Sequence, residues 1–149
     1  MSSSTDLLHS NVSKVFQHLG GFDWNNVPIA DYKPSDDSWR GVTRRSFVGE
    51  RGESPLFHLR YFEIEKGGYT TLEQHQHEHV VVCMRGRGQA VLGCRTIEMG
   101  FGDVVYVAPN DAHQFRNDDR DEPFGFFCIV NAERDRPREA EANFCPICD

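Results

Sequence analysis

The sequence predicts an all-β domain, an antiparallel sandwich or barrel, and three observations carry that reading. Nine short segments between residues 39 and 130 are rich in β-branched, aromatic or alternating apolar residues: 39–48, 56–65, 70–76, 79–85, 88–93, 96–98, 103–108, 112–116 and 124–130. Turn residues punctuate them closely, at Gly49 to Pro55, Gly67-Gly68, Gly86 to Gly88, Gly93, Gly100 to Gly102 and Asn117 to Pro123. No stretch of helical periodicity intervenes, and strands joined without crossover helices pair antiparallel.

Ahead of the strands, Leu7, Leu8, Val12, Val15, Phe16 and Leu19 recur at helical spacing. Ser4, Thr5 or Asp6 can cap the start of such a helix and Gly20-Gly21 can end it. This predicts one amphipathic helix over about residues 6–19, laid against its own domain. Proline, Asp, Asn and Ser dominate from Asn25 to Asp37, the composition of a loop. The expected organisation is thus a helix-and-loop extension over 1–38, a β domain over 39–131 and a polar tail over 132–149 that contains Cys145-Pro146-Ile147-Cys148.

At 149 residues the chain is long enough to bury a core as one domain. Its 16 Lys plus Arg against 23 Asp plus Glu give a formal charge of -7, which excludes a phosphate-tracking nucleic-acid surface as the main business. No apolar run approaches the roughly 20 residues a bilayer requires, so no membrane partner is expected. The start MSSSTDLLHS lacks the basic-then-apolar pattern of a signal peptide, and the expected location is cytoplasmic. Five cysteines without a secretory signal read as thiols or ligands rather than a disulfide framework. The CPIC pair looks like half of a zinc-ribbon knuckle, and without a second CxxC it reads as an exposed thiol tail.

The chemistry concentrates in GGYTTLEQHQHEHVVVCMRGRG, from Gly67 to Gly88, and in GDVVYVAPNDAHQFRN, from Gly102 to Asn117. Glu73, His75, His77 and His79 occupy every second position, so an extended chain projects all four from one face, and His113 of the second stretch can join them. Imidazoles and a carboxylate converging on one face are what a divalent transition metal needs.

These two stretches resemble the motifs of the cupin superfamily, whose first motif spaces His-x-His and Glu between two glycines and whose second spaces His and Asn after Gly and Pro-x-Gly. With Gly67 and Gly86 on the first motif's glycines, Glu73 stands at the first His position, His75 at the second and His79 at the Glu position. Gly102, His113 and Asn117 match the second motif, while Ala108 and Asn110 stand where proline and glycine are usual. The resemblance, which extends to small single-domain bacterial cupins, implies a double-stranded β-helix, or jelly-roll barrel, here with the N-terminal helix added. It implies a metal at the wide end of the barrel, held by Glu73, His75, His79 and His113, with the tally of three His and one Glu kept and two positions exchanged. His77 falls in the turn between the motif strands and is the less expected ligand, a period-2 reading notwithstanding. A homodimer is also implied, with segment 39–48 and the N-terminal helix as contact candidates.

If His79 points inward, alternation sends Val81, Cys83 and Arg85 to the same side, and Phe115 follows His113. The last strand offers either Phe124, Phe126, Cys128 and Val130 or Gly125, Phe127 and Ile129. Among polar groups Arg60, which can fork onto a carboxylate, and Tyr69, which can relay a proton, are the catalytic candidates. His9 and His18 fall in the expected helix and read as solvent-facing, while His58 sits on a strand and reads as structural rather than as lining the barrel. The leading functional expectation is a non-haem iron dioxygenase of the cupin kind, with Fe(II) favoured and a small organic substrate. With Mn, Ni or Zn the same cage suits an isomerase, lyase or decarboxylase that stabilises an enolate. A non-catalytic small-molecule sensor is the reading from another class.

Overall fold

The computed structural model describes residues 8–53, 56–134 and 138–139. Thirteen strands follow in chain order: β1 (His18–Gly20), β2 (Asp23–Trp24), β3 (Ile29–Asp31), β4 (Arg40–Val48), β5 (Phe57–Tyr69), β6 (Glu73–Gln74), β7 (His79–Arg85), β8 (Gly88–Leu92), β9 (Arg95–Met99), β10 (Val104–Val107), β11 (His113–Asn117), β12 (Phe124–Asn131) and β13 (Arg138–Glu139). β1 and β2 form a small hairpin, and the remaining 11 strands form one continuous antiparallel sheet. The all-β expectation is met.

That sheet closes on itself because β5 serves two walls. Its first part pairs with β12 on one side, Phe57 opposite Asn131 through to Ile64 opposite Phe124, and with β4 on the other. Its far end turns into the second wall, where Gly68 and Tyr69 pair with Asn117 and Arg116 of β11. One wall runs β10-β7-β12-β5-β4-β3, and the other runs from β9 through β8 and β11 to β6 and β13. Gly67 (φ 78) and Gly86 (φ 63) turn the chain at the ends of β5 and β7, in a left-handed conformation that a side chain disfavours. The two glycines that set the motif register are thus required by the backbone.

Strand alternation sorts the side chains into two packed layers. Val42, Phe62, Ile64, Val81, Phe115 and Phe126 belong to the core between the walls, and Cys83 and Cys128 lie with them. On β12 the inward set is therefore Phe124, Phe126, Cys128 and Val130, all buried. The opposite faces of β4, β5 and β12 carry a second cluster built on Phe47 and Tyr61, with Phe127 against them.

The expected helix over residues 6–19 is corrected here, insofar as those residues are described. Residues 9–17 run as turn, bends and irregular backbone, and His18–Gly20 is a strand. Of the apolar stripe, Val12, Val15 and Leu19 are exposed, and Phe16 reaches inward, edge-on to Phe47 at 5.4 Å. The β1–β2 hairpin sets Trp24 against Phe47 at 5.0 Å and Tyr61 at 5.1 Å, with Phe22 stacked on Tyr61 at 5.9 Å. A short isolated helix is marginal, and rings that dock on a preformed aromatic wall outweigh its propensity. Among the described residues no helix is long and apolar enough to cross a membrane.

Candidate metal centre

Three imidazoles converge between the walls. β6 leads into His75, the chain bends at Gln76 and His77, and β7 begins at His79; β11 begins at His113, directly opposite Glu73. His75 Nε2 lies 3.1 Å from His113 Nε2 and 3.0 Å from His79 Nε2. Ligands at right angles on bonds of about 2.1 Å stand about 3.0 Å apart, so these separations are those of neighbouring donors around one ion. The donor atoms of all three lie within 4.8 Å of one another.

Backbone carbonyls, which only accept, fix the tautomer of two of the rings. His75 Nδ1 is 2.9 Å from the His77 carbonyl oxygen, and His113 Nδ1 is 3.0 Å from that of Asp111. His79 Nδ1 lies 3.0 Å from Cys128 Sγ. A ring that donates from Nδ1 leaves the Nε2 lone pair for a metal. Burial, chief among the causes, lowers the pKa of His79 and of His113 below the ordinary imidazole value. Rings whose Nε2 atoms face a common point fit a divalent cation.

The loop before His113 is shaped for this. Asn110 takes φ 65, where the related motif has glycine, and Asn is among the few side chains that accept that conformation. Its N–H donates to the His75 carbonyl at 2.7 Å, and Gln74 Nε2 donates to the Asn110 carbonyl at 2.8 Å. Both motif segments are thereby tied to each other beside the ring cluster. A cavity of about 170 Å³ opens beside the cluster, with His79, His113 and Glu73 on its wall.

Residues 60–130 match the family model described as "Cupin domain". A curated relative, the 1-methylthio-D-xylulose 5-phosphate methylsulfurylase of Rhodospirillum rubrum, is 40% identical over 118 residues, 78% of this chain and 74% of its own length. The chain belongs to the cupin family. Among solved structures, a cupin 2 conserved barrel domain protein from Rhodopseudomonas palustris aligns with TM-score 0.78 and 34% identity over 88% of this cupin and 89% of that chain. A cupin 2 domain-containing protein from Halorhodospira halophila aligns with TM-score 0.66 and 40% identity over 80% and 86%.

Glu73 stands at the margin of the trio in this cupin. Its Oε2 accepts from Lys33 Nζ at 2.8 Å, while Oε1 lies 3.7 Å from His75 Nε2. His77 is buried and stacked on the His75 ring at 3.6 Å, with its carbonyl rather than its ring serving His75. Arg60 lines the cavity, its Nη2 3.7 Å from Cys128 Sγ and its guanidinium 5.0 Å over the Phe62 ring. Tyr69 is not among the residues lining the cavity; it ends β5, in register with Arg40 and Arg116.

Sequence reasoning missed several wall residues. Tyr32 and Lys33 come from the loop ahead of β4, Arg44 from β4 and Arg134 from the segment after β12. For Arg44 the signal was present, since alternation along VTRRSFV must send one of the two arginines inward. Burial, and secondarily Glu73, raises the Tyr32 pKa so far that the phenol stays protonated. His18 lies tilted against Trp24 at 5.1 Å and His58 Nδ1 accepts from Arg134 Nη1 at 2.8 Å, both apart from the trio. Cys83 and Cys128 are free and buried, whereas Cys94 is disulfide-bonded, against the expectation of thiols throughout. Cys145 and Cys148 lie outside the described residues.

Proposed function

We propose that this cupin is a metal-dependent enzyme that works on a small carbonyl compound by polarising it, in the manner of an isomerase, a lyase or a sulfur-transfer enzyme. The observation that carries the reading is the trio of converging imidazoles, His75, His79 and His113, two of which, His79 and His113, stand on the wall of an open cavity. The similar methylsulfurylase supports it, because that protein's substrate is by name a thio-substituted ketose phosphate. It gives no support to the dioxygenase expectation, and the enolate-stabilising alternative takes its place.

His75, His79 and His113 would hold the cation, with Glu73 Oε1 facing His75 Nε2 as the fourth donor. A divalent cation there supplies Lewis acidity toward a carbonyl oxygen. Around it the chain's own groups bind and orient. Tyr32, kept protonated by burial, donates and does not act as a base. Lys33 holds Glu73 by one oxygen and so fixes where its other oxygen points. Phe62, Phe115, Phe126 and Val81 give the cavity an apolar wall that keeps water from competing for the bound carbonyl.

The test is turnover of ketose phosphates and their thioether derivatives by metal-reconstituted protein under strictly anaerobic conditions, with and without an added thiol. Product formation without dioxygen supports the proposal. Turnover only with stoichiometric oxygen uptake returns the dioxygenase, and metal-independent turnover removes the role given to the histidines.

A further inference from the structure

Three arginines, Arg44, Arg60 and Arg134, stand on the cavity wall, and among the described residues no ion pair joins any of them to a carboxylate. On β4 and β5, Arg44 pairs with Phe62 and Ser46 with Arg60, which makes Arg44 and Arg60 diagonal neighbours on the inward face. The Nε of each is buried with no hydrogen-bond partner. Arg134 closes the group from beyond β12, held by donation from Nη1 to His58 Nδ1 at 2.8 Å and to the Asn131 carbonyl at 3.0 Å. The carboxylate on the same wall, Glu73, is engaged with Lys33 at 2.8 Å. Glu50, whose charge also reaches Arg134, is exposed and accepts from Ser46 Oγ at 3.2 Å. Like charges crowded on one face of a sheet are costly, and buried guanidinium N–H groups without acceptors more so.

We propose that Arg44, Arg60 and Arg134 form a subsite for the phosphate of a phosphomonoester substrate whose reacting end lies at the histidine trio. The inference rests on the reading above only in taking the cavity as a substrate pocket. Arg60 is linked to the trio through one residue, since Cys128 Sγ is 3.7 Å from Arg60 Nη2 and 3.0 Å from His79 Nδ1. Two strand spacings, about 10 Å, separate the backbones of β7 and β5, which a short sugar-sized carbon chain can span. The charge also favours phosphate over carboxylate. A phosphomonoester carries about -1.5 to -2 and three acceptor oxygens near neutrality, enough for several guanidinium forks, where a carboxylate offers one charge and one plane. Placed this way, the arginines select substrates by their distal end and leave the chemistry to the other side of the cavity.

Calorimetric titration of metal-replete protein with glycerol 3-phosphate, glycerate, glycerol and inorganic phosphate tests the subsite. The phosphomonoester is expected to bind at least tenfold tighter than glycerate and tighter than inorganic phosphate, and glycerol not at all. Arg44→Gln, Arg134→Gln and Arg60→Lys should each weaken it about tenfold or more, with metal content unchanged. Arg134 is exposed at the rim, so its variant does not threaten the fold. Unaltered phosphomonoester affinity in Arg44→Gln and Arg134→Gln would overturn the proposal, as would equal affinity for glycerate. Inorganic phosphate binding as tightly as the ester would reduce the site to a free-anion site and overturn the substrate role. Binding that survives in His75→Ala protein lacking metal supports the subsite independently of the catalytic reading.

Discussion

At the scale of single residues, the imidazole contacts separate ligands from neighbours. His75→Ala, His79→Ala and His113→Ala each remove a nitrogen from the trio and should reduce the bound metal far below one ion per chain by elemental analysis. His77→Ala should keep the ion, because what His77 gives the centre is its backbone carbonyl, which alanine retains. Cys128→Ala deletes the partner of His79 Nδ1 and is expected to weaken metal affinity about 10- to 100-fold, measured by competition with a chelator. Retention of full affinity there would show that the thiol does not orient the ring. The trio was legible in the sequence because family spacing singled out His75, His79 and His113, where period-2 alternation alone also admitted His77 and did not place His113. Tyr69 was singled out by residue type alone, with no motif spacing to place its hydroxyl. Lys33 and Arg134 escaped notice because loop and post-strand residues reach the cavity through tertiary folding, which periodicity does not encode.

At the scale of elements, most strands follow from alternation and punctuation, and the single predicted helix fails for an identifiable reason. Its apolar residues recur at helical spacing, yet the surface offered by β4, β5 and β12 is an aromatic wall that the β1–β2 hairpin and Phe16 cover ring against ring. Phe47 is the centre of that layer, and Phe47→Ala should cost about 3 kcal/mol or more in urea denaturation while leaving metal stoichiometry unchanged. Loss of metal in that variant would mean that the outer layer shapes the centre. On the other side of the wall, a Cβ at Gly88 would sit 2.0 Å from Phe124 Cδ2, in a core with no slack. Gly88→Ala should therefore destabilise by about 1–3 kcal/mol, and an unchanged midpoint would show that Phe124 can move aside.

At the scale of the whole molecule, the buried imidazoles couple the fold to pH. His79 and His113 hold protons less readily in the folded chain than the ordinary value of about 6.5 expected of the unfolded one. The unfolded chain thus binds more protons below that pH, and stability present at neutrality is lost as the pH falls from about 6.5 toward 5. Metal-free protein should show a declining urea midpoint across that window, and a flat profile would contradict the burial of the two rings. Saturating metal, which binds only the neutral rings, should raise stability most at the upper end of the window. The shared strand β5 has a mechanical corollary. Since one unbroken segment is stitched into both sides of the barrel, those sides have no hinge about which to part, and a guest must enter along the barrel's open mouth, past the side chains already in place there. Selection then happens on the way in, at a gate whose shape is set before anything arrives.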